Sequence, residues 1–290
     1  LAIRDAHVHF FSHRFFHLLT GGRDVAETAA QLEWEAPPAE PEELTARWVA
    51  ELDRHGVQSA SLIASMPGDE GSVARAVASH PDRLHGQFLV NPLAPEAAAR
   101  VEDAFAAGLR TVCLFPAMHA YSLADPRLEP LWALAAGRNV FAHCGVLSVG
   151  VRKKLGLPSP FDMRFSNPLD LHNVALRHPR VRFVIPHFGA GFFREALMLT
   201  GLCPNVYLDT SSSNDWMRYA ESPLDLETVF RRALTVAGPR RLLFGTDSSF
   251  FPRGWVRPVY ERQLEVLKTI GLDRADAAAI LGETLLSLQK

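Results

Sequence analysis

His7 and His9, one residue apart near the start of the chain, are of a type and spacing that can hold a metal ion. In a strand over residues 3–10, side chains alternate with period two, so both imidazoles reach one face. Two neighbouring imidazole nitrogens make half of a tetrahedral site. Such a pair also occurs without any metal, so the other half must come from elsewhere in the chain. Three positions qualify by residue type and by following a short apolar run: His143 in Phe141-Ala-His143, His187 in Val184-Ile-Pro-His187, and Asp247 in Phe244-Gly-Thr-Asp247. Each has an ordinary alternative, since an Asp after a strand is commonly a helix N-cap and a His there a hydrogen-bonded loop residue. What joins them is the fold.

Eight strand-like runs recur: Ile3–His9, Val57–Ala64, His85–Asn91, Arg110–Phe115, Asn139–His143, Val181–Pro186, Asn205–Asp209 and Arg241–Thr246. Amphipathic, helix-like stretches separate them, at Glu42–His55, Gly71–His80, Pro95–Ala107, Leu128–Ala136, Leu169–His178, Gly191–Leu202, Leu226–Ala237 and Val259–Ile270. Pro41-Glu-Glu and Pro95-Glu suit first helical turns, and Gly56, Gly108 and Gly137 sit where helices should stop. Strand–helix alternation eight times over predicts an α/β fold, a (β/α)8 TIM barrel in one domain over residues 1–290. A doubly wound open sheet is the alternative, but no Gly-x-Gly-x-x-Gly turn follows the first strand. A further helix, about Arg274–Gln289, is expected to pack outside the barrel. In a TIM barrel the reactive groups gather at the C-terminal ends of the strands. His7, His9, His143, His187 and Asp247 all fall there, though His7 and Asp247 are 240 positions apart.

The chain is long enough for one large core, with 48% hydrophobic and 21% charged residues. A net charge of −2 argues against nucleic-acid or anionic-membrane partners. No run of 18 apolar residues could span a bilayer, and the first residues read as a strand, not as an export signal. Cys113, Cys144 and Cys203 are too few and scattered for a disulfide framework, which makes a reducing cytoplasm the expectation.

The set Asp5-x-His7-x-His9, His143, His187 and Gly245-Thr-Asp247 resembles the amidohydrolase superfamily. More narrowly, it is similar to the amidohydrolase-related branch that includes aminocarboxymuconate-semialdehyde decarboxylase and small metal-dependent hydrolases. Gly108–Pro116, Asn167-Pro-Leu, His178-Pro, His187-Phe-Gly-Ala-Gly191, Asn205–Asp209 and Arg241–Asp247 follow that branch in order. Two positions depart from it. Cys113 stands where many members carry a metal-bridging lysine, which favours one metal and reads as a buried core thiol, although a thiolate can also bridge two zinc ions. Glu283 replaces the usual Asn beside the last helix, a change in capping or packing.

The resemblance implies that His7, His9, His143 and Asp247 hold one divalent ion, Zn2+ first, with Mn2+ or Fe2+ as alternatives. It assigns catalysis to Asp247, as proton acceptor from the attacking water, and to His187, which orients water or protonates the substrate. Asp5 reads as a supporting carboxylate on the His7 face. The activity implied is a metal-dependent hydrolase whose activated water attacks an amide, ester or lactone of a small, carboxylate-bearing substrate. The alternative is a non-oxidative decarboxylase, a carbon–carbon lyase acting on an aromatic or unsaturated acid through the same site. A barrel without catalysis is a third reading, disfavoured by the intact ligand set. A small-molecule substrate is the expected partner, and the family suggests a homodimer.

The long stretch after the first strand, residues 11–38, is a candidate lid whose Phe11, Phe15, Phe16 and Trp34 could wall an apolar substrate or simply pack as a helix on the rim. Arg152 and Arg164, in the loop after strand five, are candidate carboxylate anchors, with a solvated basic loop as the plain alternative. Trp216 and Phe251 are candidate substrate-contacting residues after strands seven and eight.

Overall fold

Apolar and β-branched runs become eight parallel strands in the computed structural model, which describes residues 1–290. They are β1 (Ile3–His9), β2 (Val57–Ala64), β3 (Leu84–Leu89), β4 (Thr111–Leu114), β5 (Asn139–Ala142), β6 (Arg182–Ile185), β7 (Val206–Asp209) and β8 (Leu242–Leu243). Each pairs with its sequence neighbour in one sheet ordered β1 to β8, with helices between, forming a nearly closed TIM barrel. No helix is long and apolar enough to cross a membrane.

Period-two alternation divides each strand between two cores. Ala6, Ile63, Leu89, Cys113, Phe141, Val184 and Leu243 fill the barrel interior. Their neighbours, among them Leu62, Phe88, Val112, Val140 and Phe183, pack outward beneath the helices in the main core.

The seam between the first and last strands is closed differently. β8 is only two residues long. Beyond it the chain is stitched to β1 by Ala6 N–H to Phe244 O (2.8 Å), His9 N–H to Ser248 O (2.7 Å) and Asp247 N–H to His7 O (3.0 Å). Asp5 is the buried fastener. It accepts from the backbone N–H groups of His7 (2.9 Å) and Thr246 (3.1 Å), from the Thr246 hydroxyl, and from Trp255 Nε1 (2.8 Å). The register of β1 shifts between Asp5 and Val8, so Asp5 turns to the seam and does not share the face of His7 as strict alternation predicts.

The last expected helix is also corrected. Residues 274–288 form two short helices, Arg274–Ala278 and Thr284–Leu288, joined by the π-helical turn Ala279–Glu283. Within that turn the Ile280 carbonyl accepts from Phe244 N–H (3.0 Å), a partner taken from outside the helix. The segment does not lie outside the barrel. Leu285 and Leu288 enter the interior core and Asn139 Nδ2 donates to Leu288 O (3.1 Å), so the helix plugs the N-terminal end.

The candidate lid is helical, with α1 (His13–Thr20) and α2 (Val25–Leu32). Ser12 caps α1 by accepting from Phe15 N–H (2.9 Å), and its hydroxyl donates to buried Asp69 (2.8 Å) at the start of the helix Glu70–Ser79. Phe15, Phe16, Leu19, Val25 and Leu32 form a separate small core with Val151 and Leu155 from the loop after β5. The two loops thus make one cap over the C-terminal mouth of the barrel.

Candidate active site

β1 ends by delivering His7 and His9 to the barrel mouth, and the loop after β8 delivers Asp247 in a left-handed conformation (φ 61°). The His7 and His9 Nε2 atoms are 3.4 Å apart, and Asp247 Oδ1 is 3.5 and 3.1 Å from them. Ligands about 2.0–2.1 Å from a tetrahedral ion lie roughly 3.4 Å apart, which is the spacing these three donor atoms have. The opposite ring nitrogens are committed elsewhere: His7 Nδ1 to Asp209 Oδ2 (2.8 Å) and His9 Nδ1 to Ser65 Oγ (2.6 Å). Each Nε2 lone pair is therefore turned to the common point, and the residues fit a divalent cation.

His143 belongs to the same cleft but not to this triangle. Only His7, His9 and Asp247 bring ligand atoms within 4.8 Å of one another. β5 ends at Ala142, and the His143 ring stacks on Phe115 (centroids 5.0 Å) beside His187 (5.3 Å). Its Nδ1 is buried without a hydrogen-bond partner. The four-residue ligand set expected from the sequence is thus three converged donors with a fourth, unsatisfied nitrogen standing back.

His187 follows Pro186 in a turn where both it and Phe188 take left-handed backbone (φ 54° and 53°), a conformation that costs free energy for non-glycine residues. That turn is held against the β5 loop at Gly145. A Cβ there would lie 2.2 Å from Gly189 O, and Val146 N–H donates to Ala190 O (2.8 Å). The His187 ring stands 5.0 Å from that of His7, and its Nδ1 is 2.9 Å from Ser211 Oγ.

Charge follows position. Burial works against ionising Asp247, but the His9 hydrogen bond and the His7, His9 and His187 imidazoles outweigh it, holding the carboxyl below its usual range. Burial likewise opposes protonating His7, yet Asp209, Asp247 and Asp5 raise its pKa. Burial lowers His9, and lowers His143 and His187 with help from neighbouring imidazoles, leaving these rings neutral near pH 7. Burial pushes Asp5 up to about 6, against its hydrogen bonds. It pushes the Cys113 thiol up as well, and this side chain contacts Gln87 in the barrel interior, outside the donor triangle.

The triangle lies at the base of a cleft of about 440 Å³. One wall is aromatic. Phe11 stacks on Phe15 (4.2 Å), and Trp34 stacks on Phe250 (3.8 Å). The rim is cationic, with Arg152, Lys154 and Arg253, while Asp247 is the only acidic residue of the lining. Of the four expected substrate contacts, Arg152 reaches this cleft, its guanidinium donating to Pro158 O (Nε, 3.0 Å). The other three lie elsewhere. Arg164 is exposed and pairs with Asp162, two residues before it. Trp216 is buried, donating to Asn214 Oδ1 (2.9 Å), because Asn214 turns the chain in a left-handed conformation. Phe251 packs behind the cleft on Trp48 and under Arg47, while its neighbour Phe250 faces the site.

Asp209, Ser211, Ser65, Arg253 and Phe250 are contributors that sequence reasoning did not assign. Asp209 and Ser65 carried a signal, since both stand at or just after strand ends. Arg253 and Phe250 carried none, because the conformation of the loop after β8 decides their direction.

Known proteins agree with this architecture. The chain resembles an uncharacterised TIM-barrel protein from Bordetella bronchiseptica (TM-score 0.69, 22% identity, 99% of this chain and 98% of that one). It also resembles a zinc-bound amidohydrolase from Burkholderia multivorans (0.65, 18%, 100% and 99%) and a candidate 2-pyrone-4,6-dicarboxylic acid hydrolase from Pseudomonas putida (0.61, 19%, 100% and 97%). At such identities the likeness is one of fold. In sequence, 88 residues are 36% identical to the protein fluG of Emericella nidulans, a match spanning 30% of this chain and 10% of that relative. The amidohydrolase family pattern extends over residues 5–284, from the seam carboxylate Asp5 to the helix that plugs the barrel, and the chain belongs to the amidohydrolase family.

Proposed function

We propose that this amidohydrolase-family enzyme is a metal-dependent hydrolase that adds water across an amide, ester or lactone bond of a small, carboxylate-bearing substrate. The observation that carries this reading is the convergence of His7 Nε2, His9 Nε2 and Asp247 Oδ1 at the base of the cleft. His143, with its orphaned Nδ1, is the proposed fourth ligand. A nitrogen-rich set with one carboxylate supports Zn2+, with Mn2+ or Fe2+ as alternatives. A divalent ion in such a set acidifies water and polarises a carbonyl. Cys113 in place of a bridging lysine supports a single ion.

The protein's own groups divide the remaining work. Asp247 is held ionised and can accept a proton at its carboxylate. His187 faces the cleft as a neutral imidazole suited to contacting a substrate oxygen. Arg152, Lys154 and Arg253 supply positive charge for a substrate carboxylate, and the aromatic wall offers an apolar face to the rest of the molecule. A neighbour described as a hydrolase of a dicarboxylic acid is consistent with that charge pattern. The α1–α2 cap is the proposed lid.

The test is a panel of carboxylate-bearing lactones, esters and amides, assayed on protein stripped of metal and reloaded with Zn2+ or Mn2+. Carbon dioxide release is followed in parallel. Metal-dependent hydrolysis without carbon dioxide is expected, and carbon dioxide release alone would replace the hydrolase with the decarboxylase. His143→Ala should lose metal and activity together, and His187→Ala activity alone. Metal loss from His187→Ala would reverse the two assignments.

A further inference from the structure

We propose that Ser211 is a positioning residue that fixes the ring proton of neutral His187 on Nε2, making His187 a hydrogen-bond donor to substrate and not a base. This rests on the reading of the cleft as the active site.

The inference follows from donor and acceptor bookkeeping along a buried chain of four side chains. Asp209 Oδ2 is 2.8 Å from His7 Nδ1. A carboxylate can only accept there, so His7 Nδ1 carries a hydrogen. Ser211 Oγ is 2.9 Å from that same nitrogen and can only accept from it. Ser211 is fully buried, so its own hydroxyl hydrogen cannot go to bulk water. The one other group in reach of Oγ is His187 Nδ1, at 2.9 Å. The hydroxyl therefore donates to His187 Nδ1, which must be bare. In a neutral imidazole the proton is then on Nε2, a nitrogen with no partner in the protein on a ring that lines the cleft.

The competing acceptor is the Ser211 carbonyl oxygen, 3.3 Å from His187 Nδ1. A proton placed on Nδ1 for that longer contact would aim two N–H groups at Ser211 Oγ. It would also bury the hydroxyl hydrogen without an acceptor, the more costly arrangement. The direction of the chain is set at Asp209, two side chains away from His187. A neutral imidazole with Nε2–H polarises a substrate carbonyl without giving up its proton. Proton acceptance is then left to Asp247.

The test reads the tautomer directly. Zinc-loaded and metal-free protein, labelled with 15N-histidine, is examined near neutral pH by long-range 1H–15N correlation, with His187 signals assigned through their loss in His187→Gln. The wild type should carry the His187 proton on Nε2, and Ser211→Ala should move it to Nδ1. Asp209→Asn gives a second arm. Ser211 N–H donates to Asp209 Oδ1 (2.5 Å), which keeps an amide oxygen on that side and turns the amide nitrogen toward His7. In metal-free protein the chain should then reverse, with the His187 proton on Nδ1 although neither residue 187 nor 211 has changed. In turnover, Ser211→Ala should lower kcat by about 10–100-fold, with KM within about twofold and zinc content unchanged. A wild-type proton on Nδ1, a tautomer unmoved in Ser211→Ala, or an unchanged kcat overturns the proposal. The spectra need no turnover, so failure of the hydrolase reading would show separately, as inactivity of every variant with the tautomers as stated.

Discussion

Asp209 Oδ2 meets His7 Nδ1 at 2.8 Å inside the barrel, both side chains almost wholly buried, and this contact aims His7 Nε2 at His9 and Asp247. The last residue of β7 thus orients a residue of β1 across the seam, with no contact of its own to the donor point. Replacing Asp209 with Asn keeps the shape and removes the charge. We expect the apparent Zn2+ affinity to fall by about 10–100-fold, measured by competition with a chromophoric chelator. Unchanged affinity would mean that the contact does not support ligation.

Gly145 should tolerate no side chain. Its φ of +83° is left-handed, and a Cβ would lie 2.2 Å from Gly189 O and 2.3 Å from Ala190 O. Those are backbone atoms of the turn carrying His187, so Gly145→Ala must part the β5 and β6 loops. The expected loss is roughly 3 kcal/mol of stability, visible in urea unfolding, with activity falling as well. A variant as stable as the wild type would show that the clasp is loose.

Asp69 makes stability depend on pH. It is buried beneath α1, accepting from Ser12 and Ser72, and burial raises its pKa from the usual 3.8 to about 6. Between those values the folded protein holds a proton that the unfolded chain releases. The contribution is therefore full below about pH 3.8 and is lost as pH rises through about 6, on the order of 3 kcal/mol. Asp69→Asn should remove this term, so its melting temperature relative to wild type should rise from pH 5 to pH 8. A difference constant across that range would contradict the assignment.

Arg253 is the rim cation nearest the chemistry. Its Nη2 donates to Asp247 O (3.0 Å) and Ser249 Oγ (2.8 Å), and its guanidinium lies 4.7 Å from the Phe250 ring centroid. Arg253→Met should raise KM for carboxylate-bearing substrates by about tenfold and leave neutral analogues unaffected. A kcat loss shared by both substrate types would instead make Arg253 a support for the Asp247 backbone.

Much of this was legible in the residues. β1 and β2 begin and end where alternation and flanking Gly56 place them, and β5 through β7 shift by only one residue at most at either end. Looking for polar residues at strand ends found His7, His9 and Asp247. The same test contained Asp209, but its partnership with His7 is a contact between chain segments that no local pattern encodes. β8 read longer than it is, because an apolar run does not reveal that its neighbour across the seam pairs irregularly. The last helix presented an apolar face, and periodicity does not tell which layer that face meets. Trp216 and Phe251 failed as cleft residues because turn geometry sets side-chain direction after a strand. The Asp162-x-Arg164 spacing itself encodes a local ion pair, which holds Arg164 away from the cleft.

The seam has one more consequence. Because β1 supplies His7 and His9 and the segment after β8 supplies Asp247, the donor triangle exists only when the first and last strands meet. A chain emerging from the ribosome carries its two imidazoles through the synthesis of seven further strands before their carboxylate arrives. An ion bound there would bridge the two edges that close the ring, so its affinity would include the free energy of closure. Metal uptake by this protein would in that sense report that the whole barrel has been completed.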